Sequence, residues 1–400
     1  MTKPCANHLP AWLDSEKLSL ETTLLIFAAR VSRNGDAHKW ARALSSNGVD
    51  WDDLLRQAAR HAITPSLYRF LHDVCPDTVP QEILNSLRQS VWDNTRRNLK
   101  LTGELVRILD LFAAQGISAI PFKGPALAAL AYGDLAWRQF GDLDILVDKQ
   151  DVAKASNLLK ERGYRTKLDW VATQDETFLE VTYTLEFQHE KTGDLVELHW
   201  ELFPKFLAFG FSYGLLRQHL VPTWPGGKQM MTFAPEELLL YLCAHGAKHC
   251  WANLGWIVDV AWLTHQYRSW NWDLLIQQAR AQKIERILLL GLLLAHDLLG
   301  ASIPAEVEQQ IRADESLQGL AAKVGEQLLL ATEPTHSMAA QLGFYFSLQS
   351  KPRNKVNYIF RLVTNPNVGD WELLSLPARL SFLYAVLRPV RLIKKYVWAS

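Results

Sequence analysis

Phe122-Lys123-Gly124-Pro125, followed by Arg138-Gln139-Phe140-Gly141-Asp142-Leu143-Asp144-Ile145-Leu146-Val147, is the stretch on which the fold turns. It reads as a strand end, a glycine turn, a short helix, a polar loop and a second strand carrying two aspartates. Strand side chains alternate between faces, so Asp142 and Asp144 point one way and Leu143 and Ile145 the other. Two aligned carboxylates repel unless a cation sits between them. Hard divalent ions such as Mg²⁺ take oxygen ligands of this kind, with phosphate oxygens completing the shell. A wet surface strand also carries Asp-x-Asp, so the pair alone is a weak signal. The apolar run Leu143–Val147 makes this a buried strand and leaves the aspartates at its start, beside Gly141.

Upstream, Gly116 ends a helix and Ile117 to Phe122 reads as a first strand. Lys123-Gly124 closes it, and Pro125 suits the first turn of the helix that follows, Ala126 to Tyr132. A glycine turn entering a helix offers backbone N–H groups to a phosphate, and Lys123 adds a point charge. A simple turn with a solvated lysine is the plainer alternative. Before it, Leu18 to about Phe112 is helical in pattern. Trp51-Asp52-Asp53 marks one helix start, and a long helix spans Gln81 to about Ala114 with Leu84, Leu87, Leu99, Leu101, Leu105 and Phe112 among its apolar residues.

Downstream, Asp151 to Arg162 is an amphipathic helix. Thr182–His189, the turn Lys191-Thr192-Gly193-Asp194 and Leu195–Trp200 form a hairpin. On the returning strand Glu197 and His199 share a face. Glu197 meets the two aspartates if its strand lies beside theirs, and an acid within an apolar strand is costly unless paired or cation-bound. Pro204 to Gly227 reads as a loop-rich boundary. A helix then starts at Pro235-Glu236-Glu237 with Thr232 as a candidate cap, and carries His245, Lys248 and His249. Ile284 to Leu299 is apolar nearly all round, and Leu317 to Leu330 is amphipathic. Lys351 to Lys355 reads as a basic loop. The tail from Leu380 to Ser400 is basic and amphipathic, and is expected to pack its apolar side on the domain.

The chain has 400 residues, so two or three domains are expected. The partition read from the pattern is a helical region over 1–112, a core over 113–227 and a helical domain over 228–400. Lys+Arg and Asp+Glu both number 42, so there is no global field for nucleic acid, and no stable nucleic-acid binding is expected. Cys5, Cys75, Cys243 and Cys250 include no Cys-x-x-Cys pair, which fits a reducing cytoplasm. Met1 to Asp14 lacks an apolar signal core, and no apolar run is long enough to span a bilayer.

Strand, Lys-Gly turn, helix, Arg-x-x-Gly-Asp-x-Asp strand, helix and a hairpin bearing Glu197 resemble the polymerase-beta-like nucleotidyltransferase superfamily. The closer resemblance is to its uncharacterised bacterial nucleotidyltransferase family. The residues carrying it are Lys123-Gly124, Arg138 through Asp144, Glu197-Leu198-His199-Trp200, His245-Gly246-Ala247-Lys248-His249, Trp256 and Asp259. One departure stands out: most of the superfamily has Gly-Ser or Gly-Gly at the turn, and here Lys123-Gly124-Pro125 lacks the hydroxyl.

The resemblance implies an α+β fold, a small mixed-sheet nucleotidyltransferase core flanked by N-terminal and C-terminal helical domains. It implies transfer of a nucleoside monophosphate from an NTP, ATP being the expected one, to an acceptor hydroxyl of a small molecule, sugar or peptide, releasing pyrophosphate. Asp142, Asp144 and Glu197 would be the catalytic carboxylates and the ligands of Mg²⁺ or Mn²⁺. Lys123, Gly124, Arg138 and Gly141 would hold phosphates, with His245, Lys248 and His249 lining the cleft. Two alternatives stay open: a catalytically silent, antitoxin-like nucleotide-binding protein of the same fold, and a zinc enzyme using His245 and His249.

Overall fold

The computed structural model describes residues 9–14, 16–31, 48–166, 176–267, 269–329, 338–349, 352–374 and 376–397. Cys5, most of Met1–Asp14, Leu330, Lys351, the side chains of Lys394 and Lys395, and the last three residues lie outside these.

The N-terminal helices are α1 (Leu20–Ala29), α2 (Trp51–Arg60), α3 (Thr64–Val74) and the long α4 (Gln81–Ala114). Ser19 and Asp50 cap α1 and α2 by accepting from first-turn amides that have no helical partner. Leu84, Leu87, Leu101, Leu105, Ile108 and Phe112 bury one stripe of α4. Leu99, another apolar residue of this helix, is 52% exposed. Standing two residues before Leu101, it points to the far side of the helix.

The sheet segment comprises β1 (Ala119–Pro121), α5 (Gly124–Leu127, continuing as a wider turn to Tyr132), β2 (Asp142–Val147), α6 (Val152–Glu161), β3 (Tyr164–Arg165), α7 (Glu176–Val181), β4 (Thr184–His189) and β5 (Leu195–His199). The strand order is β1-β2-β5-β4-β3. β2 and β5 run parallel and the other pairs antiparallel, so the sheet is mixed and the fold is α+β, as the sequence predicts. Leu143, Ile145, Val147, Val196 and Leu198 form one sheet face and pack with Leu101, Leu105 and Ile108 of α4 and Val152 and Leu159 of α6. Ile120, Phe122 and Leu146 belong to the other core, shared with the C-terminal helices.

The stretch read as a loop-rich boundary is more ordered than expected. It contains α8 (Tyr213–Leu216) and β6 (Leu220–Thr223), which pairs antiparallel with β7 (Met230–Phe233). Gly226 and Gly227, both in the left-handed region, make the turn. A proline such as Pro222 is tolerated in a two-stranded ribbon because half its amides need no partner. Thr232 is therefore a strand residue and not a helix cap; its hydroxyl donates to the Pro121 carbonyl at 2.7 Å.

Helices α9 (Pro235–Lys248), α10 (Leu254–Gln266), α11 (Trp272–Ala281), α12 (Glu285–Leu299), α13 (Ala305–Arg312), α14 (Glu315–Leu329) and α15 (Met338–Leu348) follow. α12 is buried from Ile287 to Ala295, as its unbroken apolar run predicts. Trp251 packs against α9 so closely that a Cβ on Gly246 would lie 2.3 Å from its ring. The chain ends in α16 (Pro352–Thr364), α17 (Val368–Leu373) and α18 (Tyr384–Val397). Residues 352–355 of the expected basic loop are in fact the first turn of α16, where Pro352 costs no hydrogen bond. The tail is tied down through charge: Asp370 of α17 accepts from Arg388 at 2.7 Å and pairs with Arg391, and both arginines belong to α18.

Candidate active site

The parallel pairing of β2 with β5 sets Asp144 directly opposite Glu197. Parallel neighbours in register point to the same face, so Asp142, Asp144, Glu197 and His199 all project toward one side of the sheet. The antiparallel partner of Glu197 on β4 is Glu186, which is exposed. Three acids therefore stand in a row across three strands, an arrangement that costs free energy without cations.

A lysine and a histidine answer them. Lys123, in the turn after β1, donates to Asp144 Oδ1 at 2.9 Å. His199 Nε2 lies 3.3 Å from that oxygen and 3.2 Å from Glu197 Oε2. Asp144 is 2% exposed, and its second oxygen, Oδ2, is buried with no hydrogen-bond partner. Ligand atoms of Asp144, Glu197 and His199 lie within 4.8 Å of one another. The sequence marks His199 as sharing the face of Glu197 and as part of the Glu197–Trp200 motif, but gives it no role in the site. Its spacing of two from Glu197 in a strand was the available signal. Glu186 was missed altogether, although counting back from the Lys191–Asp194 turn gives its register.

The electrostatics follow from this crowding. The Asp144 charge, then burial and Glu197, push the Asp142 carboxyl up to about 6, although Lys123 pulls the other way. Burial opposes ionisation of Asp144 too, but the Lys123 ammonium and the His199 ring hold it well below the usual carboxylate range. His199 keeps Glu197 low through its hydrogen bond. Burial disfavours charge on His199, yet its bonds to Asp144 and Glu197 raise its pKa overall.

The turn that places Lys123 needs its glycine. Gly124 has φ +49, and a Cβ there would sit 3.2 Å from the Asp142 carbonyl. At Gly141 a Cβ would meet nothing within 4 Å, so space is open beside the start of β2. The polar loop between α5 and β2 is held from α4: Asn98 Nδ2 donates to the carbonyls of Leu135 at 2.6 Å and Arg138 at 2.8 Å. Asn94 adds bonds to Ala136 and Arg138. Polar residues on the buried side of a long helix were the clue to this support, and the sequence reading passed over them.

Arg138 is held by a different acid. Its Nε and Nη2 donate to the two oxygens of Asp259 on α10, each at 2.9 Å, and Tyr132 OH donates to the same acid at 2.6 Å. Its Nη1 is buried without a partner. The α9 residues face the site side by side. Tyr241 packs edge-on against Phe122 at 5.0 Å and lies 5.8 Å beneath the Lys123 ammonium. The His245 and His249 rings are 4.9 Å apart, and both touch Trp256. Lys248 lies 4.9 Å over the Tyr183 ring. Burial, then the charges of Lys123, His249, Lys248 and Arg138, drive the His245 pKa well down. Among the described residues, the group with metal-binding spacing is Asp144, Glu197 and His199, and neither His245 nor His249 belongs to it.

A family model described as an uncharacterised nucleotidyltransferase matches residues 47–300. Among solved structures, the crystal structure of the lincosamide antibiotic adenylyltransferase LnuA, lincomycin-bound, is similar at 19% identity. The match covers 41% of this chain and 97% of that one, with a TM-score of 0.31. No curated protein matches. Among the described residues, no helix is long and apolar enough to cross a membrane.

Proposed function

The chain belongs to the uncharacterised nucleotidyltransferase family, and from that premise we propose that it moves an NMP group from an NTP to an acceptor hydroxyl with Mg²⁺ or Mn²⁺ bound at Asp142, Asp144 and Glu197. The observation that carries the metal assignment is the buried, unpartnered Oδ2 of Asp144 within an excess of acids. Such an atom is costly to bury unless something binds it. The donors are carboxylate oxygens, which suits a hard divalent cation. When bound, the ions neutralise charge on the triphosphate and on the attacking oxygen.

The reaction itself asks the protein mainly for position and charge. The acceptor oxygen bonds to the α-phosphorus, the bond from that phosphorus to the bridging oxygen of the β-phosphate breaks, and pyrophosphate leaves. The acceptor proton passes to Glu197, the more exposed of the two facing acids, whose side chain is 31% exposed against none for Asp144. Lys123 is the counter-ion of Asp144 and would turn to the phosphates when nucleotide binds. Gly124 and Gly141 let the phosphates approach the backbone. Arg138, anchored by Asp259, presents its free Nη1. His199 orients Glu197 and Asp144. His245, Lys248 and His249 line the far wall, on the helical domain we place after residue 227, with the catalytic core over 113–227. The acceptor is a small molecule, sugar or peptide, and ATP is the proposed donor.

The test is pyrophosphate release from each NTP with Mg²⁺ or Mn²⁺, across a panel of hydroxyl acceptors. The expected result is metal-dependent release that disappears in Asp142→Asn and Asp144→Asn. Release that persists in both variants overturns the site. The engagement of Lys123 and Arg138 by acids favours a second reading, a silent nucleotide-binding protein. Calorimetric NTP binding without turnover across the panel would select it.

A further inference from the structure

Away from the carboxylates, a pocket of about 620 Å³ opens between the end of α11, the start of α12 and the side of α16. Its charged lining is Arg280, Lys283, Glu285, Arg286, Arg353 and Arg361. Five cations thus face one acid, in a chain whose net charge is zero. Two of the five are spent. Arg280 pairs with Glu285 at 2.8 Å. Arg286 pairs with Asp314 and donates to the Leu348 carbonyl at 3.0 Å and to Ser316 at 2.9 Å.

Lys283, Arg353 and Arg361 have no ion pair among the described residues. Arg361 Nε is buried and has no hydrogen-bond partner. A guanidinium N–H taken from water without an acceptor is costly. Lys283 and Arg353 stand exposed on the wall of the same pocket and add to its positive field. Lys283 also holds the left-handed position (φ 62) that closes α11, where glycine is the usual residue. The neutral lining is of a different kind. Asn354 and Asn357, in the first half of α16, offer donors and acceptors, and Phe209 offers an aromatic ring.

We propose that this pocket binds a small phosphorylated molecule. Lys283, Arg353 and Arg361 take the phosphate, the two asparagines take hydroxyl or amide groups of the body, and Phe209 covers its ring face. Phosphate fits because it brings two negative charges and several acceptor oxygens to a fork of guanidinium donors. The pocket shares no residue with the carboxylate site, so the inference stands apart from nucleotidyl transfer.

The test is calorimetric titration of the full chain with inorganic pyrophosphate in EDTA at low salt, where the metal-free carboxylate site repels the anion. One saturable event is expected in the wild type. Arg361→Gln and Arg353→Gln should each weaken it about tenfold, the scale of one charge-assisted hydrogen bond, and the double variant should abolish it. Lys123→Gln should leave it unchanged. If an arginine variant loses its melting transition, Asn357→Asp supplies the same readout by placing an acid in the pocket. No heat, undiminished binding in the pocket variants, or loss in Lys123→Gln would each overturn the proposal. So would equal affinity for sulfate, which would mark an adventitious ion only.

Discussion

Two buried acids in the sheet half of the molecule are treated in opposite ways. Glu104 of α4 is closed. Its Oε1 accepts from Arg162 Nε at 2.6 Å and Tyr164 OH at 3.2 Å, and its Oε2 from Arg107 Nε at 3.0 Å and Arg162 Nη2 at 2.8 Å. One acid meets two cations, both oxygens are filled, and although burial pushes the other way the arginines bring its pKa down to about 2. Asp144 is open. It takes one lysine, shares one histidine with Glu197, repels Asp142 on its own strand, and keeps a buried oxygen with no partner. The first centre is complete as it stands and belongs to folding. The second has a deficit of positive charge that the fold does not fill, and that deficit is the ground for the cation site proposed above.

The sharpest way to break this contrast is to neutralise one acid at each centre. Asp144→Asn is expected to lower NTP-dependent pyrophosphate release on the order of 10³-fold, the scale of removing one transition-state charge contact. Glu104→Gln should leave release per folded molecule unchanged and instead cost about 1–2 kcal/mol of stability, because two arginines lose a counter-charge that solvent only partly replaces. Denaturant unfolding and pyrophosphate assays on both variants check the pair. A large activity loss in Glu104→Gln would erase the distinction drawn here.

The sequence already showed much of the open centre. Period-two alternation put Asp142 with Asp144 and Glu197 with His199, because a strand buried on one face makes parity unambiguous. Parity says nothing about which strands are neighbours, and only the parallel pairing of β2 with β5 sets Asp144 opposite Glu197. The closed centre was half hidden for the same kind of reason. Arg107 stands one helical turn from Glu104, but Arg162 and Tyr164 lie 58 and 60 positions further on, and nothing local marks an ion pair at that separation. The β6–β7 ribbon was hidden because Pro222, Gly226 and Gly227 signal loops and tight turns alike. Arg138 was legible as a motif residue, but its anchor Asp259 sits on a helix far along the chain.

Cation addition should sharpen the contrast further. Mg²⁺ at a hundred times its Kd adds about 2.7 kcal/mol to any state that binds it. A rise in melting temperature is expected in the wild type and in Glu104→Gln, and none in Asp144→Asn. The two centres should also respond oppositely to pH. Glu104 has a folded pKa lowered from 4.5 to about 2, so its contribution is complete above 4.5 and is lost as pH falls toward 2. Asp142 has a folded pKa raised from 3.8 to about 6, so in metal-free protein stability declines as pH rises from 3.8 through 6. Asp142→Asn removes that decline and should raise metal-free stability above pH 6 by about 1–2 kcal/mol. Urea midpoints at pH 5 and 7 in EDTA measure it, and a destabilised Asp142→Asn would count against an unfilled charge deficit.

The smallest expected effect concerns α9, the wall that faces the open centre from the helical half. Lys248 stacks on Tyr183 and makes no ion pair among the described residues, so its ammonium is held by a ring and remains available to an anion. Lys248→Met keeps the stem that covers Tyr183 and removes only the charge. If Lys248 meets the nucleotide, the variant should raise the KM for NTP about fivefold, a loss of roughly 1 kcal/mol for an exposed charge contact, with kcat little changed. If the stacking alone matters, KM stays at the wild-type value in Lys248→Met and shifts only in Lys248→Ala, which strips the stem as well. That split separates a wall that binds from one that merely closes the cleft. It also decides whether the charge deficit at Asp144 is matched by a positive face across from it, as a triphosphate lying between the two would require.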